Sequence, residues 1–549
     1  MPTITLNRKI VEELVGKKLP LDKLKDRISM LGTNLEGINE KEIVVEIFPN
    51  RPDLLSEQGF ARALSSFIGV KKGLRNYKSN KSGYRVVIDK SVKEVRPYTA
   101  CAVVKNLKFS DERIREIIQI QEKLHVTYGR NRKKVAIGIY PLEKIKFPVN
   151  YIARKPIDIK FVPLESKDKL NGLEILKEHP AGKEYGYLLE NERLFPIFID
   201  ANNEIMSMPP IINSDKTGKI VVDTTDVFIE CSGFDFDVLS KCLNIIVTAL
   251  ADMKGELYDV ELDYGKKRIT PDLSAERMKI DINYVNKILG LELKENEIRN
   301  LLERMGFAYN NKEVLIPSYR TDILHQIDLV EDIAIAYGYE NFKEEIPKLM
   351  TVGEEDKFEI FKNKVSEILV GLGLLEISTY NITNVDIQKK RMNCDVEIVE
   401  LQNALTTDYN VLRSWMIPCL LNILTKNKHY DYPQNLFDIG IVFKGEKDEV
   451  KEDCRLGVVL CSMKADFTRI KQVSDVLFSE LGLIYEVREV EHGSFIKGRV
   501  GRVIVNGRKI AYIGEVHPSV LRNFELEMPV AAFELNLSEL YNIVTKRIF

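Results

Sequence analysis

Four carboxylates stand close together late in the chain: Asp322, Asp328, Glu331 and Asp332. Glu331 and Asp332 follow Asp328 by three and four residues, so on a helix the three share one face. Carboxylates that converge repel one another unless a cation lies among them. Hard oxygen donors suit Mg²⁺, which usually keeps several of its waters. A plainer arrangement fits the same residues, a capping box with Asp328 at the helix N-cap and Glu331 at N3.

A second segment offers different chemistry. From Ile205 to Lys219 the chain reads IMSMPPIINSDKTGK, a double proline followed by amides and hydroxyls around a glycine. This predicts a stiff polar loop of the kind that carries binding sites. An ordinary turn between two strands would have the same composition. The basic run Arg130-Asn-Arg-Lys-Lys134 is either a solvated face or a phosphate contact through Arg130, Arg132, Lys133 and Lys134. The 7 cysteines are scattered without a CxxC pair, and the 6 histidines are far apart in sequence. That argues against zinc and against a disulfide framework, and fits a reducing cytosol. No nucleophile elbow, Walker loop or dinucleotide fingerprint is present.

The acidic segment belongs to an internal repeat. Leu14-Val15-Gly16, Leu19, Leu24, Ile28, Leu31 and Gly32 match Ile288-Leu289-Gly290, Leu293, Ile298, Leu302, Met305 and Gly306 without a gap. After a short shift of register, Arg51, Asp53, Leu54, Leu55, Phe60, Ala61, Leu64 and Gly69 match Arg320, Asp322, Ile323, Leu324, Leu329, Val330, Ile333 and Gly338. Each copy predicts two helices, an Arg-x-Asp turn and a third helix. In the first copy the three helical acids are replaced by Gly59, Arg62 and Ala63, so the fold itself does not demand them.

Strand-like runs fill the region between the copies: Tyr84–Ile88, Ala100–Val104, Val135–Ile139, Ile157–Phe161 and Lys219–Val222. After residue 355 a helical stretch from Phe358 to Leu369 precedes strands at Glu376–Tyr380, Glu397–Leu401, Leu436–Phe443, Arg455–Leu460, Arg502–Val505, Ile510–Ile513 and Val530–Leu535. The pattern predicts a mostly antiparallel α+β domain. The chain of 549 residues has room for roughly three to five domains. Its formal charge of −2 supplies no bulk basic field, so any RNA contact must be local. MPTITLNRKI has no signal-peptide pattern, and the longest apolar runs fall far short of the roughly 18 residues of a membrane span.

Taken together, these segments resemble the β subunit of phenylalanyl-tRNA synthetase in its shorter archaeal and eukaryotic cytosolic form. The motifs that carry the resemblance are Asn50-Arg-Pro-Asp53 with Gly59-x-Ala61-Arg62, then Pro317-Ser-Tyr-Arg-x-Asp322 with Asp328-Leu-Val-Glu-Asp332 and Tyr337-Gly-Tyr339. Leu412-Arg-Ser414 with Pro418, Phe437-Asp-Ile-Gly440, Ile513-Gly-Glu-Val-His-Pro518 and Phe533-Glu534 are similar to the family's catalytic-like domain. Each is weak alone; their order and spacing are specific.

The resemblance implies an α+β multidomain chain: a helical module at 1–83, a strand-rich α/β editing domain at 84–265, a related helical module at 266–350, and a class II synthetase-like antiparallel domain at 351–549. It implies a catalytic α subunit in an (αβ)₂ heterotetramer, tRNA(Phe) as substrate, ATP used by the complex, and a cytoplasmic location. Mg²⁺ would lie on Asp322, Asp328, Glu331 and Asp332, shared with the α subunit. An editing site that hydrolyses Tyr-tRNA(Phe) would include Ser207, Asn213, Ser214, Thr217, Asp223, Thr224 and Asp226. The last domain lacks the glycine-rich segment ending in Arg that a working class II site needs, so charging is expected on the α subunit. Tyr140-Pro141 departs from the family's usual residues after Ala136-Ile-Gly138. The alternative is an RNA-binding or assembly scaffold without hydrolytic activity.

Overall fold

Each copy of the repeat folds as a strand, two helices, a hairpin and a third helix. In the first copy these are Thr3–Asn7, Arg8–Val15, Leu21–Met30, Asn34–Ile38, Glu42–Glu46 and Glu57–Phe67. In the second they are Glu276–Lys279, Ile282–Leu289, Glu295–Arg304, Ala308–Asn310, Glu313–Ile316 and Gln326–Tyr337. Both copies build a three-stranded sheet with the second hairpin strand in the middle. Gly16 and Gly290 stop the first helices in the left-handed region, at φ 78° and 66°, where a side chain would be strained. The helices follow the apolar spacing of the sequence. The strands escaped it because they are short, three to five residues each.

This computed structural model describes residues 2–446 and 449–548. It parts into two compact units, Met1–Glu345 and Ile346–Phe549.

In the first unit the two repeats pack on each other. Ser66 Oγ donates to the Glu303 carbonyl at 3.1 Å and Arg304 Nε to the Phe67 carbonyl at 3.0 Å. Leu64, Phe67, Leu302 and Phe307 join one apolar core. Between the repeats in sequence lie a five-stranded and a seven-stranded sheet. Strand Val227–Gly233 is buried along its whole length, paired antiparallel with Tyr98–Lys105 and Val135–Pro141. Tyr140, Tyr151, Phe198, Met206 and Phe228 fill a shared core. Helix Asp111–Val126, capped by Ser110, packs against the edge strand Val135–Pro141.

The segment read as a stiff loop is a hairpin, Ile205–Met208 with Ile212–Asn213, turning at Pro209-Pro210. The predicted strand Lys219–Val222 is a turn instead: Thr224 Oγ1 takes the Val221 N–H at 3.2 Å and leaves Val221 and Val222 exposed. Likewise only Lys160–Phe161, Leu375–Glu376 and Val399–Glu400 pair where longer strands were predicted.

The second unit is built on a seven-stranded sheet in the order Leu375–Glu376, Gln434–Glu446, Glu449–Cys461, Val530–Asn536, Arg508–Val516, Phe495–Val505, Glu486–Glu489. All its pairs are antiparallel except the first. The chain is thus an α+β multidomain protein. Among the described residues no helix is long and apolar enough to cross a membrane.

Candidate functional site

A cavity of about 420 Å³ opens at the edge of the five-stranded sheet. Its wall is apolar, with Ile114 and Ile117 from the Asp111–Val126 helix, Ile137 and Ile139 from the edge strand, and Ile211 and Ile212 from the proline hairpin. Into this wall are set Glu122, His125, Arg132, Asn213 and Glu230. A mostly apolar cleft with a few convergent polar groups is the usual form of a small-ligand site.

Glu230 sits mid-strand in Val227–Gly233, opposite Gly138. A side chain at 138 would collide with the Glu230 carboxyl and the Tyr140 hydroxyl, so the glycine makes their room. The Tyr140 hydroxyl lies 2.8 Å from Ser207 Oγ, 3.2 Å from Glu230 Oε1 and 3.3 Å from Asn213 Oδ1. Burial pushes the Glu230 carboxyl up to about 8, against the pull of Arg96. At neutral pH it is therefore largely a carboxylic acid, able to donate as well as accept. Its Oε2 is buried and has no partner.

His125 is also buried, but both ring nitrogens are engaged. Nε2 accepts the Ile137 N–H at 2.8 Å, which places the ring proton on Nδ1, 3.2 Å from Glu122 Oε1. Burial holds its pKa below the usual value, so it stays neutral. Glu122 also takes Arg132 Nη2 at 3.1 Å, while Arg132 Nη1 donates to the Ile211 carbonyl at 2.8 Å. Arg132 lies over the Tyr185 ring at 4.1 Å. Arg130, Asn131 and Arg132 all have positive φ, 49°, 53° and 63°, a left-handed run without a glycine. Such backbone is strained and persists only where side chains hold it, as Arg132 does here.

The sequence-predicted residues therefore divide. Ser207 and Asn213 meet around Tyr140, and Asn213 lines the cavity. Ser214 and Thr217 are buried in the hairpin's continuation, bonded to Met206. Thr224 holds a turn, Asp226 Oδ1 caps the Asn106 N–H at 3.0 Å, and Asp223 is exposed. Arg130, Lys133 and Lys134 are exposed; Arg132 turns inward. Glu230, His125, Glu122 and Tyr140 were not read as site residues from the sequence. One signal stood there: Glu230 is the lone charged residue in a fully buried strand.

The four carboxylates of the second repeat do not gather as a metal cage. Arg320 takes Asp322 in a two-pronged pair, Nε at 2.8 Å and Nη2 at 2.7 Å, and Nη2 also reaches Asp332 at 2.7 Å. Burial raises Asp322, but Arg320 outweighs it and holds the carboxyl below its usual value; at Asp332 burial wins and the pKa rises. Asp328 Oδ2 accepts the Leu324 and His325 N–H groups at 2.8 Å each, closing a capping box with His325 at the N-cap and Asp328 at N3. The cap thus sits three residues earlier than the sequence suggested, and Glu331 is exposed outside it. Among the described residues no group of three or more His, Cys, Asp or Glu side chains could hold a metal ion. These residues do not fit Mg²⁺ held by this chain alone, because an arginine and a helix terminus already neutralise Asp322, Asp328 and Asp332.

In the second unit the synthetase-like motifs supply two ion-paired clusters. Arg413 Nη1 donates to Thr379 Oγ1 at 2.6 Å, and Thr379 Oγ1 to Asp438 at 2.6 Å. Glu534 receives Arg455 at 2.8 Å and the N–H groups of Met416 and Ile417 at 2.9 and 3.1 Å. Arg413 lies where any side chain at Gly440 would project.

Comparison with known proteins gives a consistent result. Residues 278–339 match the tRNA synthetase B5 domain, and residues 343–537 match the phenylalanyl tRNA synthetase beta chain CLM domain. The phenylalanine–tRNA ligase beta subunit of Pyrococcus horikoshii is 39% identical over 98% of this chain and 100% of its own length. That of Archaeoglobus fulgidus is 39% identical over 99% of both. A crystal structure of an N-terminal fragment of the Pyrococcus horikoshii subunit superimposes with a TM-score of 0.59 at 35% identity, covering 61% of this chain and 99% of the fragment.

Proposed function

Because the chain belongs to the phenylalanine–tRNA ligase β-subunit family, we propose that its 420 Å³ cavity hydrolyses tyrosine wrongly joined to tRNA(Phe). The observation that carries this reading is the unpartnered, buried Oε2 of Glu230, set in a largely apolar wall. Tyrosine differs from phenylalanine by one hydroxyl. A charging pocket that is merely apolar rejects such an addition only about 100-fold, so a second sieve is useful. A tyrosyl ring in the cavity would give Glu230 and Asn213 a hydroxyl to bond, whereas phenylalanine would leave buried polar atoms unpaired.

Hydrolysis then needs a positioned water rather than a covalent intermediate. Both nitrogens of His125 are engaged, and Ser207 is buried beneath Tyr140. Polar groups at the cavity mouth would orient the ester and its water. Arg130, Lys133 and Lys134, exposed beside Arg132, are the proposed phosphate contacts for the tRNA end. In this reading a partner α subunit in an (αβ)₂ complex performs ATP-driven charging in the cytoplasm. Any Mg²⁺ shared with this chain would take further ligands from the partner subunit.

The test is deacylation by the complete complex of Tyr-tRNA(Phe) against Phe-tRNA(Phe). Glu230→Ala should erase the preference for the tyrosyl ester while phenylalanine charging persists. An unchanged preference would leave the cavity a structural feature and favour the scaffold reading.

A further inference from the structure

Where the two repeats meet, a cavity of about 10 Å³ has room for a single water-sized particle. Arg51 and Arg62 reach it from the first repeat, Arg320 from the second, and Arg75 from the segment that leaves the first repeat. Among the described residues the only acid on its wall is Asp53. Each buried arginine is held by other groups. Arg51 grips both oxygens of Asp53 at 2.9 and 2.8 Å. Arg320 commits Nε and Nη2 to Asp322 and Asp332. Arg62 commits Nη1 to the Tyr77 hydroxyl at 2.7 Å and to Asp252 at 2.9 Å, and lies over the Tyr319 ring at 3.9 Å. Two nitrogens are left over, Arg62 Nη2 and Arg320 Nη1. Both are buried without a partner, on residues only 8% and 2% exposed. Arg62 is also where the two copies differ in charge, since its counterpart in the second is the exposed Glu331.

We propose that this cavity binds one small anion, a halide such as chloride, which accepts from Arg62 Nη2 and Arg320 Nη1 and so ties the two repeats together. A guanidinium N–H can only donate, so the occupant must accept from both sides. A water could do that, but its own two protons would then need acceptors, and Arg51 already grips both oxygens of Asp53. A halide needs none. It also offsets the repulsion between Arg320 and Arg51. Asp252, Asp322 and Asp332 hold their arginines without lining the cavity, so the wall itself presents donors. Arg75, half-buried and without an ion pair among the described residues, adds a further positive charge there. A phosphate or a carboxylate is too large for this space. The site shares no residue with the 420 Å³ cavity, so it stands whether or not that cavity is hydrolytic.

The experiment is thermal unfolding of the full chain in sodium chloride against sodium gluconate at equal ionic strength, which holds screening constant. A ligand of the folded state alone raises Tm as its concentration climbs above its Kd. The wild type should therefore melt several degrees higher in chloride. Arg62→Lys keeps a cation for Asp252 and Tyr77 but withdraws Nη2, and should shrink the chloride-specific difference severalfold. Crystals soaked in sodium bromide should show an anomalous peak between Arg62 Nη2 and Arg320 Nη1. Equal melting in both salts, a chloride effect undiminished in the variant, or no bromine at that place overturns the anion in favour of a water. A bromine peak without chloride-specific stabilisation is binding at crystal concentration only, and overturns the tie between the repeats.

Discussion

Arg320 and Arg51 hold equivalent places in the two repeats, and each grips the aspartate two residues on. Arg51 binds Asp53 at 2.9 and 2.8 Å, and Arg320 binds Asp322 at 2.8 and 2.7 Å. The two guanidinium groups face each other closely enough to repel, and each is also drawn to the other's aspartate. The Arg-x-Asp of the repeat is thus a charge-balanced joint. Arg320→Ala should cost roughly 3–5 kcal/mol, because Asp322 and Asp332 would be left buried without their partner. Urea denaturation of the variant measures this.

The acidic segment makes a separate prediction. Asp328→Ala should cost about 0.5–2 kcal/mol through loss of the cap, and Glu331→Ala close to nothing. Calorimetric titration of the isolated chain with Mg²⁺ should show no tight site that either substitution removes. A site lost in both variants would restore the carboxylates as ligands.

Glu230 should make stability depend on pH. Its folded pKa of about 8 lies above the usual carboxylate range. Its contribution is therefore complete below the unfolded value of about 4.3 and declines as pH rises, by at most about 1.4 kcal/mol per unit, until pH passes the folded value. Glu230→Gln, an isostere of the protonated form, should flatten that slope in denaturant melts at pH 5, 7 and 9.

Gly138→Ala should close the site from within. The added methyl meets the Tyr140 hydroxyl and the Glu230 carboxyl, so deacylation of Tyr-tRNA(Phe) by the complex should drop while charging is spared. Deacylation at the wild-type rate would show that the strand yields.

The isolated chain should not form aminoacyl-adenylate. Arg413 and Asp438 are committed to each other, and Glu534 to Arg455 and a helix terminus. ATP–pyrophosphate exchange should therefore appear only when the partner subunit is added.

The repeat could be read from sequence because its signals are local: apolar spacing on helices and glycines at helix ends. The proline hairpin was visible for the same reason, though its strands were taken as loop. The cavity was not visible. Its polar groups come from a helix at residue 125, strands at 140 and 230, and a turn at 132, and only the sheet's register sets Glu230 opposite Gly138. Tyr140 stood out solely as a departure from a familiar pattern. Thr224 and Asp226 hold backbone N–H groups of turns, a role that hydroxyls and carboxylates fill as readily as that of ligands. The pairing of Asp322 and Asp332 with Arg320 was not legible, because helical spacing says nothing of an arginine two residues before one acid and twelve before the other.

The joint between the repeats also closes a circle. The strand-rich region leaves the first repeat and re-enters the second, so its two ends are clasped together by Ser66, Phe67, Glu303 and Arg304. While that clasp holds, the region can unravel only into a ring of roughly 200 residues, never into a free coil. A covalent tie closing a loop of that size would lower the entropy of the unravelled state by roughly 5 kcal/mol. Here the knot is made of carbonyls, guanidinium groups and apolar side chains, so it can be untied. Whatever parts the two repeats should loosen the cavity between them, even from a distance.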